Sequence, residues 1–266
     1  MICAGIDAGS RTLKVALIAP PSTKIVGSAV RDQGVDQQAL AVEVLEALLS
    51  ERGLTRSDVA AIGATGYGRR LIRGAGITVT EVTCQAWGVR ACVPGARTIL
   101  DIGGQDSKLV RLKADGSVAD FVMNDRCAAG TGRFLEVLAM RLGVPLAGLG
   151  ALSGQSARPA AISSVCVVFA ETEIVGLLAS GASPGDIVAG VQASIASRVA
   201  AMATGNLPEP ICFTGGGALV PGMRGALEAV IGLPVTVAPD PQLTCALGAA
   251  ILASRRQEPA GQRNAP

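Results

Sequence analysis

The residue types best suited to chemistry gather at Asn124-Asp125-Arg126-Cys127-Ala128-Ala129-Gly130-Thr131-Gly132-Arg133-Phe134-Leu135-Glu136. The stretch starts polar, presents one cysteine and passes through small residues. It then turns apolar at helical spacing, with Phe134, Leu135, Leu138, Ala139 and Leu142. This predicts a loop feeding the N-terminus of a helix. Cys127 then sits where backbone N–H groups and the positive end of the helix dipole favour a thiolate. Such a thiolate is a nucleophile, a metal ligand or an inert core residue.

A second set of chemical groups is acidic. Ile2-Cys-Ala-Gly-Ile-Asp7 and Thr98-Ile-Leu-Asp101-Ile102 both read as buried strands carrying an acid at the end. Each runs into a tight polar turn, Gly9-Ser10-Arg11-Thr12 in one case and Gly103-Gly104-Gln105-Asp106-Ser107 in the other. Two such hairpins suit a polyphosphate. Their turn N–H groups cradle oxygens while Asp7 and Asp101 hold Mg²⁺ through its waters, and Lys14 adds a point charge. Thr214-Gly215-Gly216-Gly217-Ala218 follows a strand and precedes a helix, and three consecutive glycines let a nucleoside or its phosphates approach the backbone. Neither a GxxxxGK[ST] loop nor a GxGxxG after a strand is present.

Composition narrows the chemistry. The chain has no His, which removes a Ser-His-Asp triad, a Cys-His pair and every His-ligated metal site. Aromatics are 2% and the net charge is +2 with no basic stripe, so nucleic acid is not an expected partner. Hydrophobic residues are 49% and charged residues 17%, enough apolar material for a sizeable core. No basic n-region followed by an apolar h-region opens the sequence, and no run of about 18 apolar residues that would span a membrane is found in it. The seven scattered cysteines include no CxxC, so a cytoplasmic protein with reduced thiols is expected. Cys3, Cys84, Cys92, Cys212 and Cys245 lie in apolar or helical stretches and read as core. Cys127 and Cys166 differ, sitting beside polar or small residues at element edges. Two thiolates make half of a four-thiolate iron–sulfur site, and a symmetric dimer supplies the other half.

The elements that position these groups follow from periodicity. Strands are predicted at Leu13–Ile18, Lys24–Val30, Val59–Thr65, Lys108–Leu112, Val118–Val122, Ala161–Val168 (containing Cys166), Pro210–Phe213 and Val235–Val237. Helices are predicted at Asp36–Arg52, 84–92, 171–180, 185–205, Pro221–Ile231 and Leu243–Ser254, with a frayed tail from Arg255. Pro94-Gly95 marks the boundary between segments 1–95 and 96–266. The last helix is expected to pack back on the first segment. The strand–acid–turn–strand pattern recurs about 95 residues later, which suggests a duplicated domain and not a solenoid.

The residues now on the page carry a resemblance. Gly5-Ile-Asp-Ala-Gly-Ser, Ala64-Thr-Gly-Tyr-Gly-Arg, Asp101-Ile-Gly-Gly-Gln-Asp-Ser-Lys, the Asn124–Glu136 stretch, Ala161-Ile-Ser-Ser-Val-Cys-Val-Val-Phe-Ala-Glu-Thr-Glu and Thr214-Gly-Gly-Gly resemble the ATP-dependent activators of 2-hydroxyacyl-CoA dehydratases. They also resemble the related ATPase subunits of benzoyl-CoA reductase. The likeness covers roughly residues 2 to 254. It implies an α/β fold of duplicated ribonuclease-H-like domains, in the acetate kinase/sugar kinase/heat-shock chaperone/actin superfamily, with ATP or ADP in the interdomain cleft. It implies a homodimer, or a heterodimer with a related subunit. One 4Fe–4S cluster is then shared through Cys127 and Cys166 of each subunit. Nucleotide contacts carry over onto Ser10, Arg11, Thr12, Leu13, Lys14, Gln105, Gly215, Gly216, Gly217 and Gln242. By analogy with other NTPases, Gln105 positions the attacking water. Ferredoxin or flavodoxin is the implied electron donor, and a dehydratase or reductase component the acceptor. Two departures stand out. Arg11 replaces a frequent Thr, and Gln85 follows Cys84 where His is usual. A small-molecule kinase and a nucleotide-switch binding module of the same fold are the other readings.

Overall fold

Two five-stranded sheets with the same strand plan carry the chain. The computed structural model describes residues 1–164, 166–203 and 205–257. By contact the chain falls into two units. Unit 1 holds Met1–Ala96, Lys113–Val118 and the stretch from Ala238 onward, and unit 2 holds Arg97–Leu112 and Ala119–Val237.

In unit 1, β1 (Ile2–Ala8) pairs antiparallel with β2 (Thr12–Ile18), which pairs antiparallel with β3 (Ile25–Asp32). On its other side β1 pairs parallel with β4 (Val59–Thr65), and β5 (Ile77–Thr78) closes the edge. Both central strands are buried along almost their whole length, so they read as continuous apolar runs and not as alternation. Helix α1 (Gln37–Glu51) starts at Asp36, whose carboxylate caps the Ala39 N–H, and puts Ala41, Val44, Leu45, Leu48 and Leu49 into the core. Helix α2 (Glu81–Cys92) is capped by Thr80.

Unit 2 repeats the plan, with sheet order β10-β9-β6-β7-β8 against β3-β2-β1-β4-β5 read from the opposite edge. Here β6 (Thr98–Ile102) is antiparallel to β7 (Ser107–Leu112) and parallel to β9 (Ile211–Thr214), which is parallel to β10 (Val235–Val237); β8 (Val118–Asn124) is the edge. Helices α3 (Gly132–Leu142), α4 (Leu149–Ser153), α5 (Val167–Ala179), α6 (Pro184–Ala201) and α7 (Met223–Ile231) follow. Their apolar faces meet in one core around Phe134, Leu138, Ile174, Val191, Ile195 and Phe213.

The last helix, α8 (Thr244–Gln257), belongs to unit 1 and lies on β1, β4 and α2. Glycines allow the approach. A Cβ on Gly5 would fall on the Ala246 carbonyl, on Gly63 on the Ala249 carbonyl, and on Gly248 on the Cys84 carbonyl. With α1 on one face and α8 on the other, the unit 1 sheet has two cores, the second built from Cys3, Ile18, Leu247, Ala250 and Ile251.

The expected strand at Ala161–Val168 is not formed among its described residues. They run without regular structure into α5, which starts at Val167. A short apolar run fits strand or helix equally by periodicity, and the helical start at Cys166 prevails. Position 165 lies outside the described residues. The predicted helix 185–205 ends at Ala201, and position 204 is likewise outside them. The expected tail from Arg255 is helical as far as Gln257, and 258–266 lie outside the described residues. No single helix among the described residues is long and apolar enough to cross a membrane.

Candidate functional site

Each unit carries one acid–lysine hairpin. In unit 1 the register places Asp7 opposite Lys14, and Lys14 Nζ lies 3.0 Å from Asp7 Oδ2 with both side chains largely buried. The ammonium reaches over the turn because residue 9 is glycine; a Cβ there would meet Lys14 Nζ at 3.0 Å. Gln33 Nε2 donates to the Gly9 carbonyl at 2.8 Å and fixes the turn. Arg11 reaches across the hairpin to Asp32 at 3.3 Å. Beside Asp7 in the parallel strand stands Thr65, followed by Gly66 at φ +90°. Any Cβ at Gly66 would strike the Ala8 carbonyl and the Asp7 carboxylate.

Unit 2 builds the same arrangement. Asp101 pairs in register with Lys108, whose Nζ lies 2.7 Å from Asp106 and 3.6 Å from Asp101. Thr214 stands beside Asp101 in the parallel strand and donates from Oγ1 to Asp101 Oδ1 at 3.0 Å. Gly215 follows at φ +84°, where a Cβ would strike the Ile102 carbonyl and Asp101. Thr65-Gly66 is thus the counterpart of Thr214-Gly215. Gln105 is exposed in the turn, Gly103 and Gly104 are half-buried, and Gly103 N–H donates to the Asp106 carbonyl at 2.9 Å.

Of the residues expected at a nucleotide, unit 1 holds Ser10, Arg11, Thr12, Leu13, Lys14 and Gln242; Gln242 lies in the turn before α8. Unit 2 holds Gly103, Gly104, Gln105, Gly215, Gly216 and Gly217. Sequence reasoning passed over Lys108, Asp106 and Thr65-Gly66. The signal was present, since Lys follows Asp by seven residues in both hairpins (14 − 7 and 108 − 101). The chemistry of both hairpins is the same. Buried acids held by lysine, beside glycine-lined backbone, are fitted to a hydrated divalent cation and phosphate oxygens.

The cysteines sort by surroundings. Burial pushes the Cys84 thiol up to about 12 and the Cys92 thiol to about 11, so both remain neutral thiols. Cys127 and Cys166 each occupy the residue that caps a helical segment, Cys127 before the turn Ala128–Gly130 and Cys166 before α5. Cys166 is exposed and Cys127 half-buried. Asn124 clamps Cys127 from both sides, with Nδ2 donating to its carbonyl at 2.9 Å and Oδ1 accepting its N–H at 3.2 Å. The loop before Cys166 is held by Glu173 of α5, which accepts from Ser163 N–H, Ser163 Oγ and Ser164 N–H. Burial alone would raise the Glu173 carboxyl, but these hydrogen bonds outweigh it and hold it down at about 2. Among the described residues no cluster of three or more Cys, His, Asp or Glu forms a complete metal site. Two thiols at the starts of helical segments are half of a tetrathiolate set, so the donor types fit an iron–sulfur group that two further ligands complete.

The unit 2 turn and the Cys127 segment are laced together. Gly132 N–H donates to the Gly103 carbonyl at 2.8 Å and Arg133 N–H to the Gly104 carbonyl at 3.0 Å. Thr131 Oγ1 is shared between the carbonyls of Ala128 (2.8 Å) and Gly104 (3.2 Å), and Ser107 Oγ donates to the Gly130 carbonyl.

Comparison with known proteins decides the family. A profile of the BadF/BadG/BcrA/BcrD ATPase family matches residues 4–253. The chain belongs to this family. It is 42% identical to the activator of lactoyl-CoA dehydratase from Anaerotignum propionicum, over 95% of this chain and 97% of that protein. The solved activator of 2-hydroxyisocaproyl-CoA dehydratase from Clostridium difficile, with bound ADPNP, superposes with a TM-score of 0.91 at 38% identity, covering 97% of this chain and 98% of that one. A sugar kinase, the ROK family glucokinase of Streptomyces griseus, shares the fold alone, with a TM-score of 0.55 at 13% identity over 96% of this chain and 100% of that one. The duplicated α/β units are those of the acetate kinase/sugar kinase/heat-shock chaperone/actin superfamily. For this family member, Gln85 is a structural residue. It is buried in α2, and its Oε1 accepts from Thr244 Oγ1 (2.9 Å) and Cys245 Sγ of α8.

Proposed function

We propose that this ATPase-family protein is an electron-transfer activator of a 2-hydroxyacyl-CoA dehydratase. The observation that carries the reading is the lacing of the Gly103–Ser107 turn to the Gly130–Arg133 junction just past Cys127. The family's activators with 2-hydroxyacyl-CoA dehydratase partners support it at 42% and 38% identity.

In unit 1 the Ser10–Leu13 backbone and Lys14 bind phosphate, and Gln242 contributes from the turn before α8. In unit 2 the Gly103–Gln105 turn and Gly215–Gly217 do so. Asp7 and Asp101 organise Mg²⁺ through its waters, and Gln105 orients the water that attacks the terminal phosphate. Two subunits bring Cys127 and Cys166 together on a two-fold axis. A 4Fe–4S group held there supplies one-electron transfer at low potential. Exposed Val168 and Phe169 beside Cys166, with Phe121 and Met123 before Cys127, give that contact apolar surface. When the phosphate turn shifts with the nucleotide, the hydrogen bonds at Gly103 and Gly104 pull on the start of α3, and the Cys127 loop moves with it. Ferredoxin or flavodoxin is the donor. A reducing cytoplasm keeps the cysteines out of disulfides.

The test is anaerobic purification with iron and sulfide counted per dimer, followed by an assay with reduced ferredoxin, ATP and a 2-hydroxyacyl-CoA dehydratase. Brown protein that activates the dehydratase only with ATP is expected. A full cluster in Cys127→Ala or Cys166→Ala sinks the ligand assignment. A colourless protein that phosphorylates a metabolite makes it a kinase of this fold instead.

A further inference from the structure

Arg198 of α6 is the side chain that joins the two cysteine-bearing loops. Its Nη2 donates to the Ser164 carbonyl at 3.0 Å, two residues before Cys166. Its stem lies under Gly130, three residues after Cys127; a Cβ on Gly130 would sit 3.6 Å from Arg198 Cβ and 3.8 Å from Cδ. Helix α6 packs on the Ala128–Gly130 turn, which fixes the stem. The Arg198 Nε is buried and has no hydrogen-bond partner among the described residues. An acceptor for this N–H, water or a bound group, has to come from outside the described residues.

We infer that Arg198 is a positioning and potential-setting residue for the thiolate-bound group. This rests on the reading of Cys127 and Cys166 as ligands. The guanidinium stays charged at any physiological pH. Placed between two loops that each present a thiolate, it favours added negative charge there and eases one-electron reduction of whatever the thiolates hold. The planar fork also sets the spacing of the loops, which an ammonium cannot do in the same way.

The experiment is an EPR-monitored redox titration of anaerobically reconstituted dimer, with iron release to a chelator followed in parallel. Wild type, Arg198→Gln and Arg198→Lys are compared, and folding is checked by circular dichroism. Arg198→Gln is expected to move the midpoint to more negative potential and to release iron faster. Arg198→Lys is expected to recover the midpoint while still releasing iron faster. A midpoint and release rate equal to wild type in Arg198→Gln overturns the inference. If Arg198→Gln does not fold, Arg198→Lys decides, and wild-type iron release in that variant overturns the spacing role. Failure of the wild type to take up iron overturns the ligand assignment and the role of Arg198 with it, whereas iron uptake with an unchanged Arg198→Gln overturns the role of Arg198 alone.

Discussion

Gly132 donates its backbone N–H to the carbonyl of Gly103 at 2.8 Å. One partner begins α3 and the other belongs to the turn after Asp101. A helix start normally spends its free N–H groups on a cap or on water. Here two of them are spent on the Gly103–Gly104 turn, which ties that turn to the helix start.

Thr131 is the side chain in that joint, and it also caps α3 through Arg133 N–H. Thr131→Val keeps the shape and removes the hydroxyl. Loss of the cap costs about 1 kcal/mol, and the fold survives. The expected result is retained iron and a nucleotide effect on the reduction midpoint cut about tenfold or more. A nucleotide-dependent midpoint equal to wild type would remove Thr131 from the coupling path.

Two ion pairs that look alike in sequence differ in weight. Lys108→Met leaves Asp101 and Asp106 buried beside each other, and breaking such a buried set costs about 3–5 kcal/mol. Arg11→Thr breaks an exposed pair with Asp32 and costs about 0–1 kcal/mol. Denaturant midpoints of the two variants measure the contrast, and equal midpoints would refute it.

Glu173 gives the Cys166 loop an acid limit. Its carboxyl lies near 2 when folded, against an ordinary value of 4.5. A depressed carboxylate contributes stability above its unfolded value and loses it as pH falls through the folded one. The loop therefore loosens between about pH 4.5 and 2. Hydrogen exchange at Ser163 and Ser164 N–H should accelerate across that window relative to other loops. Glu173→Gln should remove this pH dependence, and an unchanged acid profile in that variant would argue against the clamp.

The seat of α8 is equally specific. Gly248→Ala would push a methyl group onto the Cys84 carbonyl. Overpacking of this kind costs about 1–3 kcal/mol. Thermal unfolding should shift down by several degrees, while Gly225→Ala, with open space around it, should not lower it.

The sequence made the hairpins legible because a buried strand cannot alternate. Ile2–Asp7 and Thr98–Ile102 had to be continuous apolar runs, and an acid ending such a run is conspicuous. The Asp7/Asp101 repeat followed directly. The equivalence of Thr65-Gly66 to Thr214-Gly215 is hidden in the sequence because Thr-Gly reads as an ordinary strand end. Only the registers Asp7–Thr65 and Asp101–Thr214 reveal it. The sequence of Ala161–Val168 suggests a strand because an isoleucine and three valines fit either period, and the bonds from Ser163 and Ser164 to Glu173 are not visible in it. The bonds made by Arg198 and Gln85 are hidden for the same reason. Their partners lie 34 and 159 residues away.

The place of α8 bears on how the chain is made. The second core of the unit 1 sheet needs Leu247, Ala250 and Ile251, which follow the whole of unit 2 in the chain. Strands β1 and β4 are made before unit 2, and the face that α8 covers stays open until unit 2 has been made. The stretch between them and α8 supplies a core of its own around Phe134 and Phe213. The domain begun first is thus finished last, and the cysteine-bearing unit can be folded before the first sheet has its final helix.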